Sequence, residues 1–179
     1  MEDKVLFTPE EVAEMLKLSK YTVYEMIKRG EIKALKIGRG IRISQDHISE
    51  YFEMSSNTKN LFTSEVLLNG SLGFVDLSGV RIFVPSSVKG RARIYISPET
   101  IVIAMDEVKS SARNNLKCLI SEISVEKDRT MLTLEVIGSN PPLYFDAKIT
   151  NASLKDLGLK KGQTVFALFK TMSVKVMML

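Results

Sequence analysis

The sequence predicts an α+β protein: a small helical head followed by an all-β body. Three observations carry that prediction. Up to about residue 53, apolar residues recur at helical spacing behind recognisable capping residues. From Leu61 onward the period changes to two, the period of strands. Between these regions lies a polar stretch, residues 54–60, with no period at all. The chain has 179 residues, 45% hydrophobic and 26% charged. That composition belongs to a folded chain of one or two small domains.

The head opens on Thr8-Pro9-Glu10-Glu11. Thr8 can cap a helix, Pro9 fits its first position, and Glu11 completes a capping box. Val12, Met15 and Leu16 then form one apolar face. After Leu18 the pattern breaks, and Ser19 can cap a second helix. That helix carries Val23, Met26 and Ile27 inward and stops at Gly30. Two helices two or three residues apart have helix-turn-helix spacing. Next, Ala34–Ile37 and Ile41–Ile43 alternate apolar and basic residues about Gly38-Arg39-Gly40, which predicts a β-hairpin. Leu35, Ile37, Ile41 and Ile43 are expected to face the core, Lys36 and Arg42 the solvent, with Arg39 at the tip. A third helix follows Ser44, with Ile48, Tyr51 and Phe52 on one side. His47, at its start, reads as a surface or satisfied polar residue.

In the body, strands are expected at about 61–68, 80–84, 91–96 and 100–105, and again at 115–125, 130–138, 142–149, 164–170 and 173–178. A short helix falls at 151–157. Five strands with a helix between the third and fourth is the order of an OB-fold barrel, here residues 109–179. Residues 61–108 read as a β-rich, OB-like scaffold lobe or dimerisation surface. Cys118 reads as a small core residue. The domain expectation is 1–53, linker 54–60, 61–108 and 109–179.

Composition excludes several classes. One cysteine and one histidine supply no disulfide framework, no metal cluster and little histidine catalysis. Apolar runs of about five residues fall far short of the roughly 20 that span a bilayer. Met1-Glu2-Asp3-Lys4 is not a secretory signal. No phosphate-binding glycine loop or nucleophile–base pair is visible, so no enzyme and no cofactor are expected. A reduced, cytoplasmic protein without membrane attachment follows.

The net charge of +4 is uneven. Residues 17–42 hold eight basic residues against Glu25 and Glu31, a local +6. A helix-turn-helix followed by a basic hairpin is a winged DNA-binding design. The second helix offers Lys20, Tyr21, Thr22, Tyr24, Lys28 and Arg29 to the major groove of double-stranded DNA. The wing offers Lys36, Arg39 and Arg42 to phosphate or the minor groove. The run "LFTPEEVAEMLKLSKYTVYEMIKRGEIKALKIGRGIRIS" resembles the excisionase-type branch of winged helix-turn-helix domains.

In the last 70 residues, Ser111 and Arg113 precede a strand, Thr150 can cap the short helix with Ser153 at its third position, and Lys170 and Thr171 end another strand. Backbone N–H groups at a helix start favour negative charge. With hydroxyls and one or two cations added, these groups suit a small tetrahedral dianion. Thr150 and Ser153 alone are better explained as helix caps. "SARNNLK", "AKITNASLKDLGLKKGQ" and "VFALFK" occur in that order and resemble the molbindin (TOBE/Mop) family of molybdate- and tungstate-binding domains. "GRARIYISPETIVIAM" is similar to a strand in the regulatory tails of transporter ATPases. The resemblance implies an oxyanion site at a subunit interface, in a homodimer or larger homo-oligomer. The positions that match the family's motifs are Ser111, Ala112, Arg113, Thr150, Ser153, Lys170 and Thr171. The metal would be bound only as the oxyanion.

A DNA reader joined to an oxyanion receptor reads as a one-component regulator sensing molybdate or tungstate, expected to control oxyanion transport or molybdenum/tungsten cofactor genes. An alternative is a storage or buffering protein with an accessory helix-turn-helix. The ligand preference, the sign of regulation and the number of sites stay open at this point.

Overall fold

The computed structural model describes residues 6–55, 59–70, 72–85 and 89–179. The expectation at Met1–Lys4 and the middle of the expected linker, 56–58, lie outside the described residues. The chain forms two compact units, the first ending with the third helix and the second running from the strand at Leu61 to that ending at Met178.

In the head, β1 (Leu6–Phe7) leads into α1 (Pro9–Leu16) and α2 (Lys20–Lys28). Then come β2 (Leu35–Ile37), β3 (Gly40–Ser44) and α3 (Gln45–Ser55). The capping box forms: Thr8 Oγ1 accepts from Glu11 N at 3.2 Å, and Thr8 N donates to a Glu11 carboxylate oxygen at 2.7 Å. Lys17 takes a left-handed φ of 54°, which ends α1. Ser19 Oγ then accepts from Thr22 N at 3.1 Å and starts α2. Gly30, at φ +74°, lets the chain turn out of α2 where a side chain would be strained. Val12, Ala13, Val23, Met26, Ile32, Ile43 and Ile48 form the head's core.

Several expectations fail here. Leu35 and Ile37 are not core residues: 46% and 51% of their surfaces are exposed. The sheet order is β1-β3-β2, so the middle strand β3 covers the core through Ile43 while β2 lies at the edge. Met15 and Phe52 are also exposed. A head of about 50 residues has too little interior to bury every apolar side chain its pattern offers. The two-residue β1, paired to β3 through Leu6–Ser44 and Phe7–Ile43, is too short to show a period.

The body holds β4 (Leu61–Asn69), β5 (Leu72–Leu77), β6 (Val80–Val84), β7 (Gly90–Ile96), a 3-10 turn (Pro98–Thr100) and β8 (Val102–Ala104). It continues with β9 (Asn114–Val125), β10 (Thr130–Val136), β11 (Tyr144–Ile149), α4 (Asn151–Asp156), β12 (Thr164–Phe169), a second 3-10 turn (Thr171–Ser173) and β13 (Val174–Met178). β5 is a strand beyond those expected. Gly73 interrupts its start, and its partner β4 joins it through a turn at Gly70 with φ +64°.

The strands form two five-stranded antiparallel sheets, β13-β7-β4-β5-β6 and β11-β10-β9-β12-β8. The two sheets exchange one strand each. The strand at 173–178 is expected as the fifth of the C-terminal barrel, yet β13 pairs with β7, Val174 opposite Ile96. Conversely β8 pairs with β12, Val102 opposite Leu168. One apolar core runs through both sheets, from Val66 and Ile94 to Leu134, Phe145 and Phe169. Phe145 stands edge-on to Phe62 at 5.3 Å and tilted to Phe169 at 6.1 Å, which ties the sheets through ring packing.

Two buried asparagines join the sheets by hydrogen bonds. Asn60 falls in the stretch expected as linker but is fully buried. Its amide nitrogen donates to Ile96 O and Asp146 O at 2.8 Å, and its amide oxygen accepts from Asp146 N at 2.6 Å. Asn114 does the same to Phe83, donating to its O at 3.0 Å and accepting from its N at 2.8 Å. Each side chain therefore replaces a strand's backbone as pairing partner.

Candidate functional site

Five of the body's seven candidate residues line two depressions that meet at one sheet edge. β8 ends the second sheet, and Val102 on it is 62% exposed. A depression of about 550 Å³ is lined by Ser110, Ser111, Ala112 and Lys170 together with apolar side chains such as Val108 and Phe169. A second, of about 410 Å³, is lined by Thr150, Ser153, Arg129 and Lys148 with Ile103 and Leu157. Val102 lines both. The seven expected residues are thus divided. Ser111, Ala112 and Lys170 belong to one depression, Thr150 and Ser153 to the other, and Arg113 and Thr171 line neither.

Arg113 is exposed, and among the described residues it has no ion-pair partner; the same holds for Lys170. The Thr171 hydroxyl is buried and, among the described residues, has no hydrogen-bond partner. Thr150 caps α4: its Oγ1 accepts from Ser153 N at 3.0 Å and lies 2.8 Å from Ser153 Oγ. One of the two hydroxyls donates to the other, which leaves one O–H free to serve a further acceptor.

Sequence reasoning missed Arg129 and Lys148. Lys148 stands two residues before Thr150, which on a strand puts both on one face, and that spacing was readable. Lys148 pairs with Glu99 from the first 3-10 turn, and Arg129 with Glu126. The Lys148 ammonium, hydrogen-bonded to Glu99, holds that carboxyl below its ordinary value. Cys118 is a core residue as expected, and burial pushes its thiol up to about 12. Among the described residues no cluster of three His, Cys, Asp or Glu could hold a metal ion.

In the head, α2 presents Tyr21, 74% exposed, beside Tyr24, Lys28 and Arg29. Its three candidate cations, Lys20, Lys28 and Arg29, are already paired. Lys20 forms an ion pair with Glu10 at the start of α1. The Lys20 hydrogen bond lowers the Glu10 carboxyl, and the reciprocal bond raises Lys20. Arg29 Nε lies 3.2 Å from Glu31, and Lys28 Nζ lies 3.9 Å from Glu25. Thr22 is engaged with Ser19, their hydroxyls 2.7 Å apart.

The wing differs from its expectation at one position. Lys36 and Arg39 are exposed and, among the described residues, unpaired. Arg42 is expected to face solvent. It is half-buried and folds back so that Nη1 donates to its neighbour Ile41 O at 2.9 Å, against Gly40. The missing Gly40 Cβ leaves the room: one built there would lie 2.9 Å from Arg42 Nη1. His47 is half-buried, and among the described residues its Nδ1 has no hydrogen-bond partner, which departs from a satisfied polar residue.

Comparison with known proteins agrees with this division. Residues 6–56 match the helix-turn-helix domain family HTH_17, and residues 110–176 match the TOBE domain family. The molybdate/tungstate import ATP-binding protein WtpC of Pyrococcus abyssi is 34% identical over 102 residues, 57% of this chain and 28% of WtpC. WtpC of Pyrococcus horikoshii is 36% identical over 112 residues, 63% of this chain and 31% of the relative. The chain therefore spans under a third of the length of these curated relatives. A crystal structure of the cytoplasmic molybdate-binding protein ModG, with molybdate bound, superposes with a TM-score of 0.56 at 18% identity, covering 70% of this chain and all of ModG. That likeness establishes the fold of the body. No helix among the described residues is long and apolar enough to cross a membrane. Neither matched domain is a catalytic one: the chain joins a stretch similar to helix-turn-helix domains, at residues 6–56, to one similar to TOBE domains, at residues 110–176.

Proposed function

We propose that this chain is a cytoplasmic transcriptional regulator that senses molybdate or tungstate and acts on genes of oxyanion transport or cofactor synthesis. The observation that carries the reading is the presence of a helix-turn-helix domain and a TOBE domain in one chain. The names of WtpC and ModG, both concerned with molybdate, support the ligand class.

The division of the candidate residues supports a site completed between two copies. Ser111 and Lys170 on one depression and Thr150 and Ser153 on the other flank the exposed edge strand β8. A second copy laid on this edge brings one chain's Ser111, Arg113 and Lys170 to its partner's Thr150 and Ser153. Hydroxyl and N–H donors then surround the oxyanion, and unpaired cations balance its charge. A ligand held between copies favours one arrangement of the two chains over others, and so sets the spacing of two DNA-reading heads. α2 would enter the major groove, and Lys36 and Arg39 of the wing would meet phosphate.

Titration calorimetry with molybdate, tungstate, sulfate and phosphate, repeated with operator DNA present, tests this reading. Binding of molybdate or tungstate together with a change in DNA affinity is expected, since coupling between two ligands is reciprocal. Oxyanion binding with unchanged DNA affinity would make the protein a store rather than a sensor.

A further inference from the structure

The two sheets of the body are copies of one plan. Read from the inside edge, β6-β5-β4-β7-β13 and β11-β10-β9-β12-β8 correspond strand for strand. The registers agree as well: Lys175 faces Tyr95 as Val102 faces Leu168, and Val176 faces Ile94 as Ile103 faces Ala167. The two 3-10 turns, Pro98–Thr100 and Thr171–Ser173, take corresponding places. Asn60 and Asn114 correspond too, one clamping Asp146 and the other Phe83. The body is thus an internal duplication, and Arg113 and Lys170 of the candidate site have positional counterparts in the first copy.

The counterparts carry different chemistry. Arg113 precedes Asn114, and Lys59 precedes Asn60. Arg113 has no ion-pair partner among the described residues, whereas Lys59 Nζ lies 3.1 Å from Thr133 Oγ1 and 3.9 Å from both Asp146 and Glu122. The reason lies across the duplication. Thr133 and Asp146 face each other on β10 and β11, and the corresponding pair on β5 and β6 is Phe74 and Phe83. No carboxylate stands at that pair to neutralise Arg113. Lys170, which opens the second turn, has Ser97 as its counterpart. The link from β11 to β12 runs over 150–163 and holds α4, while that from β6 to β7 runs only over 85–89. The exposed edge also differs, with apolar Val102 on β8 and charged Lys175 on β13, and a charged edge strand resists pairing with another chain.

We infer that only the second copy is an oxyanion site, that Lys59 has become a structural tie, and that the protein takes one oxyanion per chain. The inference rests on the reading under Proposed function. Around Lys59 two carboxylates face one ammonium, a net negative charge that repels a dianion. Around Arg113 and Lys170 the balance is positive.

Equilibrium dialysis of the full chain against saturating molybdate reads the count directly. One molybdate per chain is expected. Two per chain, or one per two chains, would overturn this inference and leave the sensor reading standing; no binding at all would overturn the site itself. Lys59→Met provides the second arm. It should keep the wild-type count and an affinity within about twofold while lowering the thermal midpoint, and Arg113→Met should lose binding by tenfold or more. A tenfold loss of affinity in Lys59→Met would overturn the inference, and should that variant fail to fold, the count on the unaltered chain still decides.

Discussion

Under the proposed function the head and the body each hold an anion, and they place their candidate cations differently. In the head the six candidate cations sit within one short stretch of sequence, and the three on α2 are paired with acids of the same unit: Lys20 with Glu10, Lys28 with Glu25 and Arg29 with Glu31. In the body the candidate cations come from distant segments, and Arg113 and Lys170 are left without such partners among the described residues. The difference follows from the target. A DNA duplex presents many phosphates, so each contact can be weak and exchangeable. A single small dianion offers one charge centre, so its few contacts must be strong and unopposed.

The most demanding test of this contrast removes one unopposed cation. Arg113→Ala should lower molybdate affinity by about 10- to 150-fold, the equivalent of one charge-assisted hydrogen bond worth roughly 1.5–3 kcal/mol. DNA binding by the ligand-free protein should be unchanged in the same variant. Calorimetry and fluorescence anisotropy on one preparation read both. Unchanged molybdate affinity would remove Arg113 from the site.

The same contrast governs what could be read from sequence. The head was legible because its signals are local. Thr8 and Glu11 cap one helix three residues apart, and Ser19 and Thr22 another. What failed there was burial: Leu35 and Ile37 alternate like core residues, yet an edge strand has no layer to cover it. The body's strands showed their period, but pairing is non-local. Nothing in the sequence around Val174 states that it meets Ile96 rather than a neighbour in its own barrel. Asn60 looked like linker because a buried asparagine differs from an exposed one only in what surrounds it. Of the site, Ser111, Thr150, Ser153 and Lys170 were legible as motifs, but their division between two depressions was not.

Within the head, the wing repeats the contrast on a smaller scale, because it mixes free and engaged cations. Arg39 is exposed and Arg42 is folded back onto Ile41 O. Arg39→Ala should reduce the slope of log affinity against log salt by about one unit, the signature of one lost phosphate contact. Arg42→Ala should change that slope less and should lower the head's thermal midpoint, since its guanidinium serves the hairpin. Equal slopes for the two variants would mean that Arg42 swings out to reach DNA.

The smallest effect tests whether internal pairing in the head restrains DNA binding. Lys20 lies at the first position of α2, where a phosphate contact has to compete with Glu10 for the same ammonium. Glu10→Gln removes the competitor and keeps the shape, so DNA affinity at neutral pH and low salt should rise by a few-fold at most. The pH dependence fixes the sign. Hydrogen bonding from Lys20 lowers the Glu10 carboxyl below its ordinary value, so the pair is intact above the usual carboxylate range and is lost as pH falls through that lowered value. The pair's contribution to head stability disappears over the same acidic interval. Below it the wild-type carboxyl is neutral, and the variant should lose its advantage. An advantage that persists unchanged into acid would mean that the substituted amide makes a new contact of its own. No advantage at neutral pH would mean that Lys20 makes no phosphate contact even when freed from Glu10, and that the exposed wing carries the phosphate contacts.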